Sequence, residues 1–321
     1  MRKVFFIILA LFMLTSAVYA KEPIIKEDRY QRVIVKYDGR FKVKWGKGEK
    51  RLYGKIFKDK GVLDTTFVPN KKYTYVITDL DSNEETQGSF TVERKFKVTR
   101  SAKSAVKELT KQAKKREPIL GIYTKANHAK LEEVIESSLL EALLHGRHIR
   151  EVVNLNGEKY YFHRFYDIKY EMSPKNQKKF LRGVKYISHK VMKGSRKQKV
   201  CKLTKWLSDH CNYSYGYGKT KDVYLKKKGI CHSFAMFFSL CCEEAGIPCR
   251  YVSWNKGTWY HAWNIVKIKG KWYHTDATWD VCTQYGKHLL KGKNNKWFAR
   301  EHKINSKFYK KYKVNFSKVD L

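Results

Sequence analysis

The hydrophobic pattern changes period along the chain, and each change predicts a different kind of element. Between about residues 30 and 97 the apolar residues alternate with polar ones. Arg32-Val33-Ile34-Val35-Lys36-Tyr37 runs into the turn dipeptide Asp38-Gly39, and Phe41-Lys42-Val43-Lys44-Trp45 alternates again up to Gly46. Tyr73-Thr74-Tyr75-Val76-Ile77 and Ser89-Phe90-Thr91-Val92 read as two further strands. Regular short strands with polar turns predict a small β-sandwich-like (Ig-like) domain over 21–98, with no chemistry visible in it.

The period then lengthens. Ala102, Ala105, Val106, Leu109 and Ala113 share one helical face behind Ser101 as N-cap, and a second helix is expected over about 128–144, with Leu131, Val134, Ile135 and Leu139 on one side. These form a helical connector over 99–145. Beyond it, Asn156-Gly157 turns a hairpin between Val152-Val153 and Tyr160-Tyr161-Phe162. Helices over about 175–192 and 196–210 follow, joined by a basic stretch broken at Gly194. Phe234, Ala235, Phe238, Cys241, Cys242 and Ala245 recur with helical spacing from Cys231, and Gly246 and Pro248 end that helix. A strand from Cys249 to Trp254 leads into two runs, Tyr260 to Ile268 and Lys271 to Thr278, around Lys269-Gly270. Two residues ending in Gly between alternating runs predict a tight hairpin. Residues 146–321 are therefore a mixed α+β domain.

Composition adds a compartment. Met1-Arg2-Lys3, the apolar run Val4–Leu14 and Val18-Tyr19-Ala20 have the order and size of a secretory signal peptide over 1–20, with an uncleaved anchor as the alternative. The protein is expected to be secreted or held at the cell surface. Its net charge of +38 favours polyanions. For an exported chain that points to an anionic wall polymer or membrane surface rather than nucleic acid, or to a basic surface that is merely solvated. All seven cysteines lie between Cys201 and Cys282. Adjacent Cys241 and Cys242 fit buried free thiols; the pairing of the others is open. No Cys/His spacing matches a structural zinc site, no acidic loop suits calcium, and no nucleotide motif appears. The site residues include no metal ligand and the expected chemistry needs no cofactor. Oligomeric state is open.

Three residues carry the chemistry. Cys231 sits at a helix N-terminus, where unpaired N–H groups and the positive end of the dipole favour a thiolate. With Lys269-Gly270 as the turn, Ile268 faces Lys271, Trp263 faces Asp276 and His261 faces Thr278. His261 and Asp276 are then diagonal neighbours on one face, with backbones roughly 7–8 Å apart. A thiol needs a base and the base an orienting acceptor, roles that suit His261 and Asp276. Packing of the helix on this sheet has to bring Cys231 to them.

Gly229-Ile230-Cys231, Glu244-Ala245-Gly246-Ile247-Pro248-Cys249, His261-Ala262-Trp263-Asn264, Gly270-Lys271-Trp272-Tyr273 and Asp276-Ala277-Thr278-Trp279-Asp280 together resemble the bacterial transglutaminase-like superfamily, clearly over about 195–282 and more loosely over 145–321. The resemblance implies a papain-like core, a nucleophile helix packed on an antiparallel sheet, with Cys231 as nucleophile, His261 as base and Asp276 as orienter. It implies attack on an amide carbonyl of a protein or peptide, with cross-linking, deamidation and peptide hydrolysis all open. Two features depart from the family: His232 follows the nucleophile, and no second oxyanion donor is evident among Trp206, Tyr213 and Tyr215. Trp263, Tyr215 and His232 form the candidate substrate-contacting set; Trp263 and Trp279 read equally as sheet core, and His232 as a first-turn surface residue. His274 reads as packing or a wall of the site, Asp280 as a turn cap, and His288 and His302 have no sequence neighbours to act with. The competing function is a catalytically inactive surface protein that binds through its β-domain and basic charge.

Overall fold

The computed structural model describes residues 22–46, 53–63, 67–283 and 285–321; the expected signal peptide lies outside them. The chain forms two compact units, Met1–Lys95 and Phe96–Leu321. The stretch expected as a separate helical connector belongs to the second unit and contains a fully buried strand, Leu120–Thr124.

In the first unit the described strands form one five-stranded sheet. Val33–Gly46 is a single long strand, paired along its length with Tyr53–Leu63, with Ile24–Glu27 at its start and with Lys72–Asp79 at its end. The Asp38-Gly39 pair, read above as a hairpin turn, is instead an irregularity in the register between Lys36 and Arg40, with Gly39 at φ 94°. An inserted residue bends a strand without ending it. Alternation resumes in phase, so Val33, Val35 and Tyr37 before the bulge and Phe41, Val43 and Trp45 after it enter one core with Leu63, Phe67, Tyr73 and Ile77. Among the described residues the expected β-sandwich-like domain is one five-stranded sheet whose buried residues gather in a single core.

The second unit is α+β. Ala102–Lys114 buries the five residues its period predicts, and Ser101 accepts from the Ser104 N–H as cap. The helix expected over 128–144 is two, His128–Ile135 and Leu139–Leu143. A four-stranded sheet orders Val98–Thr99, Leu120–Thr124, Glu158–Tyr170 and Leu144–Leu155. Its long hairpin turns at Asn156 and Gly157, both at positive φ. Pro174–Tyr186 continues through a wider turn, Ile187–Val191, and Ser195 caps Arg196–His210. Cys231–Glu244 is buried along most of its length, which suits a helix packed on all sides. Cys249–Lys256, Trp259–Ile268 and Lys271–Thr275 make a three-stranded antiparallel sheet with Trp259–Ile268 in the middle. All seven cysteines carry free thiols.

Candidate active site

The helix start at Cys231 is set by three local features. Residues Lys228–Gly229 pair with Asn212–Tyr213 and hold the approach in place. A Cβ at Gly229 would lie 2.7 Å from Ser233 Oγ and 3.0 Å from a Val223 methyl, so only glycine lets the approach fold so closely over the first turn. Ile230 is the N-cap and offers no side-chain acceptor. Ser233 Oγ instead accepts from the Ile230 N–H at 2.8 Å, outside the turn. No capping oxygen from Ile230 therefore competes with the sulfur or a substrate oxygen for the first-turn amides. At the other end Gly246 (φ 70°) closes the helix, with the Ile247 N–H on Cys242 O at 2.8 Å.

The ribbon holds the other two residues. Lys269 (φ 47°) and Gly270 (φ 83°) both adopt the left-handed conformation of a two-residue primed turn. The pairing runs from Ile268 with Lys271 to Asn264 with Thr275, in the register read from the sequence. Pairing stops there. Asp276 caps the short helix Ala277–Cys282, so Thr278 is helical and does not face His261. The expected side-chain contact forms all the same: His261 Nε2–H donates to Asp276 Oδ2 at 2.6 Å, with His261 6% and Asp276 0% exposed. Asn264, three residues beyond His261, ties sheet to helix through its Nδ2, which donates to Ala235 O (3.0 Å) and Ser239 Oγ (2.8 Å).

The helix and ribbon bring the sulfur to the imidazole. Cys231 is buried against Ala235 and Ala262, and its thiol lies near enough to the His261 ring for that ring to act on its titration. Since Nε2 is committed to Asp276, Nδ1 faces the sulfur. Burial pushes the thiol up, but the His261 hydrogen bond and charge, with the backbone N–H groups of Ala262 and His232, outweigh it and bring it below its ordinary value. For His261, burial acts downward and is overcome by the Asp276 charge and hydrogen bond and by the thiolate, which together lift the ring to about 10. Asp276 is fully buried, which acts upward, yet the His261 cation and its hydrogen bonds hold the carboxyl far below the usual carboxylate range. The three shifts point the same way: each favours the charged form of its group, thiolate, imidazolium and carboxylate.

The carboxylate has a further partner that sequence reasoning missed. His302 Nε2 lies 2.8 Å from the same Oδ2, and His302 is 0% exposed. Oδ1 accepts from the Thr278 N–H (3.0 Å) and Trp279 N–H (3.3 Å). His302 ends the helix Lys296–Glu301, 26 residues beyond Asp276 across a largely irregular stretch, and no periodic pattern joins the two. His261, Asp276 and His302 put three ligand-type atoms within 4.8 Å of one another. The separations of 2.6 and 2.8 Å are those of N–H···O contacts, too short for two donors spaced around a shared ion.

The remaining candidates divide. Trp263 is 1% exposed and does not line a cleft: it stacks on Phe308 at 5.4 Å and its indole N–H donates to His274 Nδ1 at 3.2 Å. It is the floor beneath His261, whose ring lies over it at 5.9 Å, because the inner face of this strand is covered by Phe298 and Phe308. His274 is likewise core. Tyr215 is 88% exposed, edge-on to Tyr213. Tyr213, in register with Gly229, feels the Cys231 charge, as does Tyr251; burial and that charge raise the Tyr213 phenol to about 12, so it stays a neutral donor. Trp206 stacks on His210 instead. His232 is joined to the Tyr251 hydroxyl (3.2 Å), and its ring lines a charged cavity of about 160 Å³ with Glu141, His145, Glu171, Lys219 and Lys221.

The chain is similar to known proteins over part of its length. Residues 185–277 match the family described as Transglutaminase-like superfamily. The chain is 29% identical over 94 residues to the kyphoscoliosis peptidases of Homo sapiens and of Mus musculus, a match that covers 23% of this chain and 14% of theirs. The chain thus spans a small part of the length of these curated relatives. Among solved structures, a cysteine protease candidate from Cytophaga hutchinsonii is 15% identical, covering 45% of this chain and 63% of that one, with a TM-score of 0.28. A structure described as a TGase is also 15% identical, over 74% of this chain and 72% of that one, with a TM-score of 0.28. The match to the transglutaminase-like superfamily thus falls on residues 185–277, the stretch that contains the helix begun by Cys231 and the ribbon that carries His261 and Asp276.

Proposed function

We propose that the protein is an exported thiol enzyme that opens amide bonds in a protein or peptide through a Cys231 acyl-enzyme. The observation that carries this reading is the buried line from the Cys231 sulfur through His261 to Asp276, begun at an uncapped helix N-terminus. The thiolate attacks the amide carbonyl carbon, and charge gathers on the carbonyl oxygen near the first-turn N–H groups. The C–N bond breaks as His261 Nδ1–H gives its proton to the departing nitrogen, leaving a thioester and neutral imidazole. A second nucleophile, amine or water, then loses its proton to His261 and attacks the thioester, expelling the thiolate. An amine makes an isopeptide link; water makes a deamidated or cleaved product. Export is supported by the order of charge and apolar residues over 1–20, and makes the substrate a protein at or beyond the cell surface.

The test compares native protein with Cys231→Ala for amine incorporation into glutamine peptides, ammonia release and peptide cleavage. The native chain should perform at least one of these and the variant none. Equal behaviour of the two on every substrate would overturn the reading.

A further inference from the structure

The Asp276 carboxylate receives two imidazoles on one oxygen, and the acyl-transfer reading uses only one of them. His302 Nε2 approaches Oδ2 at 2.8 Å, alongside His261 Nε2 at 2.6 Å. Its other nitrogen, Nδ1, faces the Phe298 carbonyl at 3.1 Å. That carbonyl already accepts the backbone N–H of His302 itself at 3.0 Å. Both ring nitrogens thus face oxygens that can only accept. A neutral imidazole has one N–H. If the proton sat on Nδ1, a lone pair on Nε2 would face a buried anion at hydrogen-bond distance, with the Phe298 carbonyl gaining little. The proton therefore belongs on Nε2, directed at Asp276.

The ring has no freedom to leave. It stacks on Phe298 at 3.7 Å and stands edge-on to Trp263 at 4.9 Å and tilted to Trp279 at 5.4 Å. The titratable groups around it are Asp276, His261 at 5.5 Å, His288 at 6.0 Å and the buried His274, which also stacks on Phe298 and feels the charge of His302. His288 is itself bonded to Glu301 at 3.0 Å and lies 3.4 Å from Asp280. Lys303, next in the chain, extends over Trp259. Burial keeps His302 below its ordinary value, against the pull of Asp276, and the His261 cation acts the same way as burial.

We propose that His302 is a positioning residue: its Nε2–H, given to the Oδ2 that also receives His261, fixes the carboxylate and divides its charge between two donors. The inference rests on the acyl-transfer reading above. Its chemical consequence concerns the first half of that reaction, in which the amide nitrogen departs. A carboxylate bound by His261 alone would hold the imidazolium too well for a ring that must hand its proton to a departing amine. Sharing Oδ2 with a second donor weakens that hold while leaving the ring's orientation intact. His302 lies outside 185–277, so the device comes from a segment beyond the family match.

The experiment follows alkylation of Cys231 by iodoacetamide from pH 4 to 11, read on the Cys231 peptide by mass spectrometry so that the other six thiols do not interfere. Activity on the best substrate is measured over the same range. In His302→Phe, which keeps the ring packing and removes the donor, the alkaline limb set by loss of the His261 proton should move up by roughly one pH unit, the size that one lost hydrogen bond to a charged group supports. In His302→Gln, whose amide N–H can reach Asp276, the limb should return toward the native position. If the Phe variant fails to fold, His302→Met replaces it, since it fills similar volume without an N–H. An unmoved limb in the donorless variant, or equal loss in the Gln and donorless variants with no pH displacement, would mean that His302 only fills space, and the inference fails. Slow, pH-insensitive alkylation of Cys231 in the native protein would instead overturn the acyl-transfer reading itself.

Discussion

The second unit buries histidines in two places, and burial has opposite outcomes. In one, His128 Nδ1 meets His163 Nε2 at 3.1 Å and His163 Nδ1 meets His148 Nε2 at 2.9 Å. Burial, the neighbouring rings and Arg150 make a cation there costly, and His163 falls to about 3 and His148 to about 4. In the other, His261 is as well buried but rises to about 10 because Asp276 stands 2.6 Å away. The central His163 ring is satisfied on both nitrogens, one as donor and one as acceptor, by its two neighbours. That arrangement is complete and inert. A ring against a buried carboxylate is charged and faces a thiol, and that is a device for moving protons. What separates a structural histidine from a working one here is the sign of the nearest buried charge, not burial.

The largest expected effect comes from removing that charge. Asp276→Asn leaves a side chain of the same shape but no anion. The amide can present N–H to His261 and force the proton onto the wrong nitrogen. Amide-bond activity should fall by roughly 10³–10⁴-fold, the scale seen when a triad carboxylate is neutralised, and His261 should titrate below neutrality. Activity within tenfold of native would show that the carboxylate is not the source of the difference between the two places. The linkage sign follows from the same shift. The folded pKa of His261 lies above that of an unfolded histidine, so its contribution to stability is fully present below pH ~6.5 and is lost as pH rises through about 10.

The contrast also shows how much the sequence could say. His261 and Asp276 were legible because Lys269-Gly270 fixes a two-residue turn, and a period of two then determines which residues share a face. Cys231 was legible from helical spacing and from Gly246 and Pro248 at the far end. His302 was not: it reaches Asp276 from a short helix whose place depends on tertiary packing alone. The His128–His163–His148 chain was invisible for the same reason, since its members come from a helix and two strands. Trp263 shows a different limit. Alternation places it on the His261 face but cannot say whether that face is open or covered, and Phe298 and Phe308 from the C-terminal segment cover it. In the first unit, Asp38-Gly39 has turn chemistry but serves a bulge, because a glycine at positive φ suits either.

A middle-sized effect tests the inert member of the pair. His163 is 0% exposed and bonded on both nitrogens. His163→Phe leaves His128 and His148 each short of a partner, at a cost of about 2–3 kcal/mol in unfolding free energy near pH 7.5, measured by urea titration. Catalytic turnover per folded molecule should be unchanged. The acid side should change too. Because His163 is depressed in the folded state, the unfolded chain binds the extra proton between about pH 3 and 6.5, so native stability falls as pH is lowered through that window. The variant should lose up to about 1.4 kcal/mol per pH unit of that slope. An unaltered slope would mean that the trio is not what titrates.

The smallest effect is the sharpest test of what distinguishes the two places. His148 Nε2 lies 2.9 Å from His163 Nδ1 and the ring packs on Phe165 at 4.0 Å, so a glutamate at 148 can bring a carboxylate oxygen to the same point along the same strand. His148→Glu therefore gives His163 what Asp276 gives His261. Arg150, which now opposes a cation on His163, would be partly offset by the new anion. His163 should move up from about 3 by roughly one to two pH units, less than the rise at His261, because His148 is partly exposed and water screens the pair. The shift is read from the pH dependence of the His163 ring signals by NMR, with His261 as an internal reference that should not move. With the folded pKa raised toward the unfolded one, the pH window in which this group destabilises the fold narrows, and acid unfolding should begin at lower pH than in the native chain. If His163 stays near 3 with a carboxylate against it, burial outweighs a neighbouring charge at that site, and the high His261 value requires the whole Cys231–His261–Asp276–His302 constellation rather than its carboxylate alone.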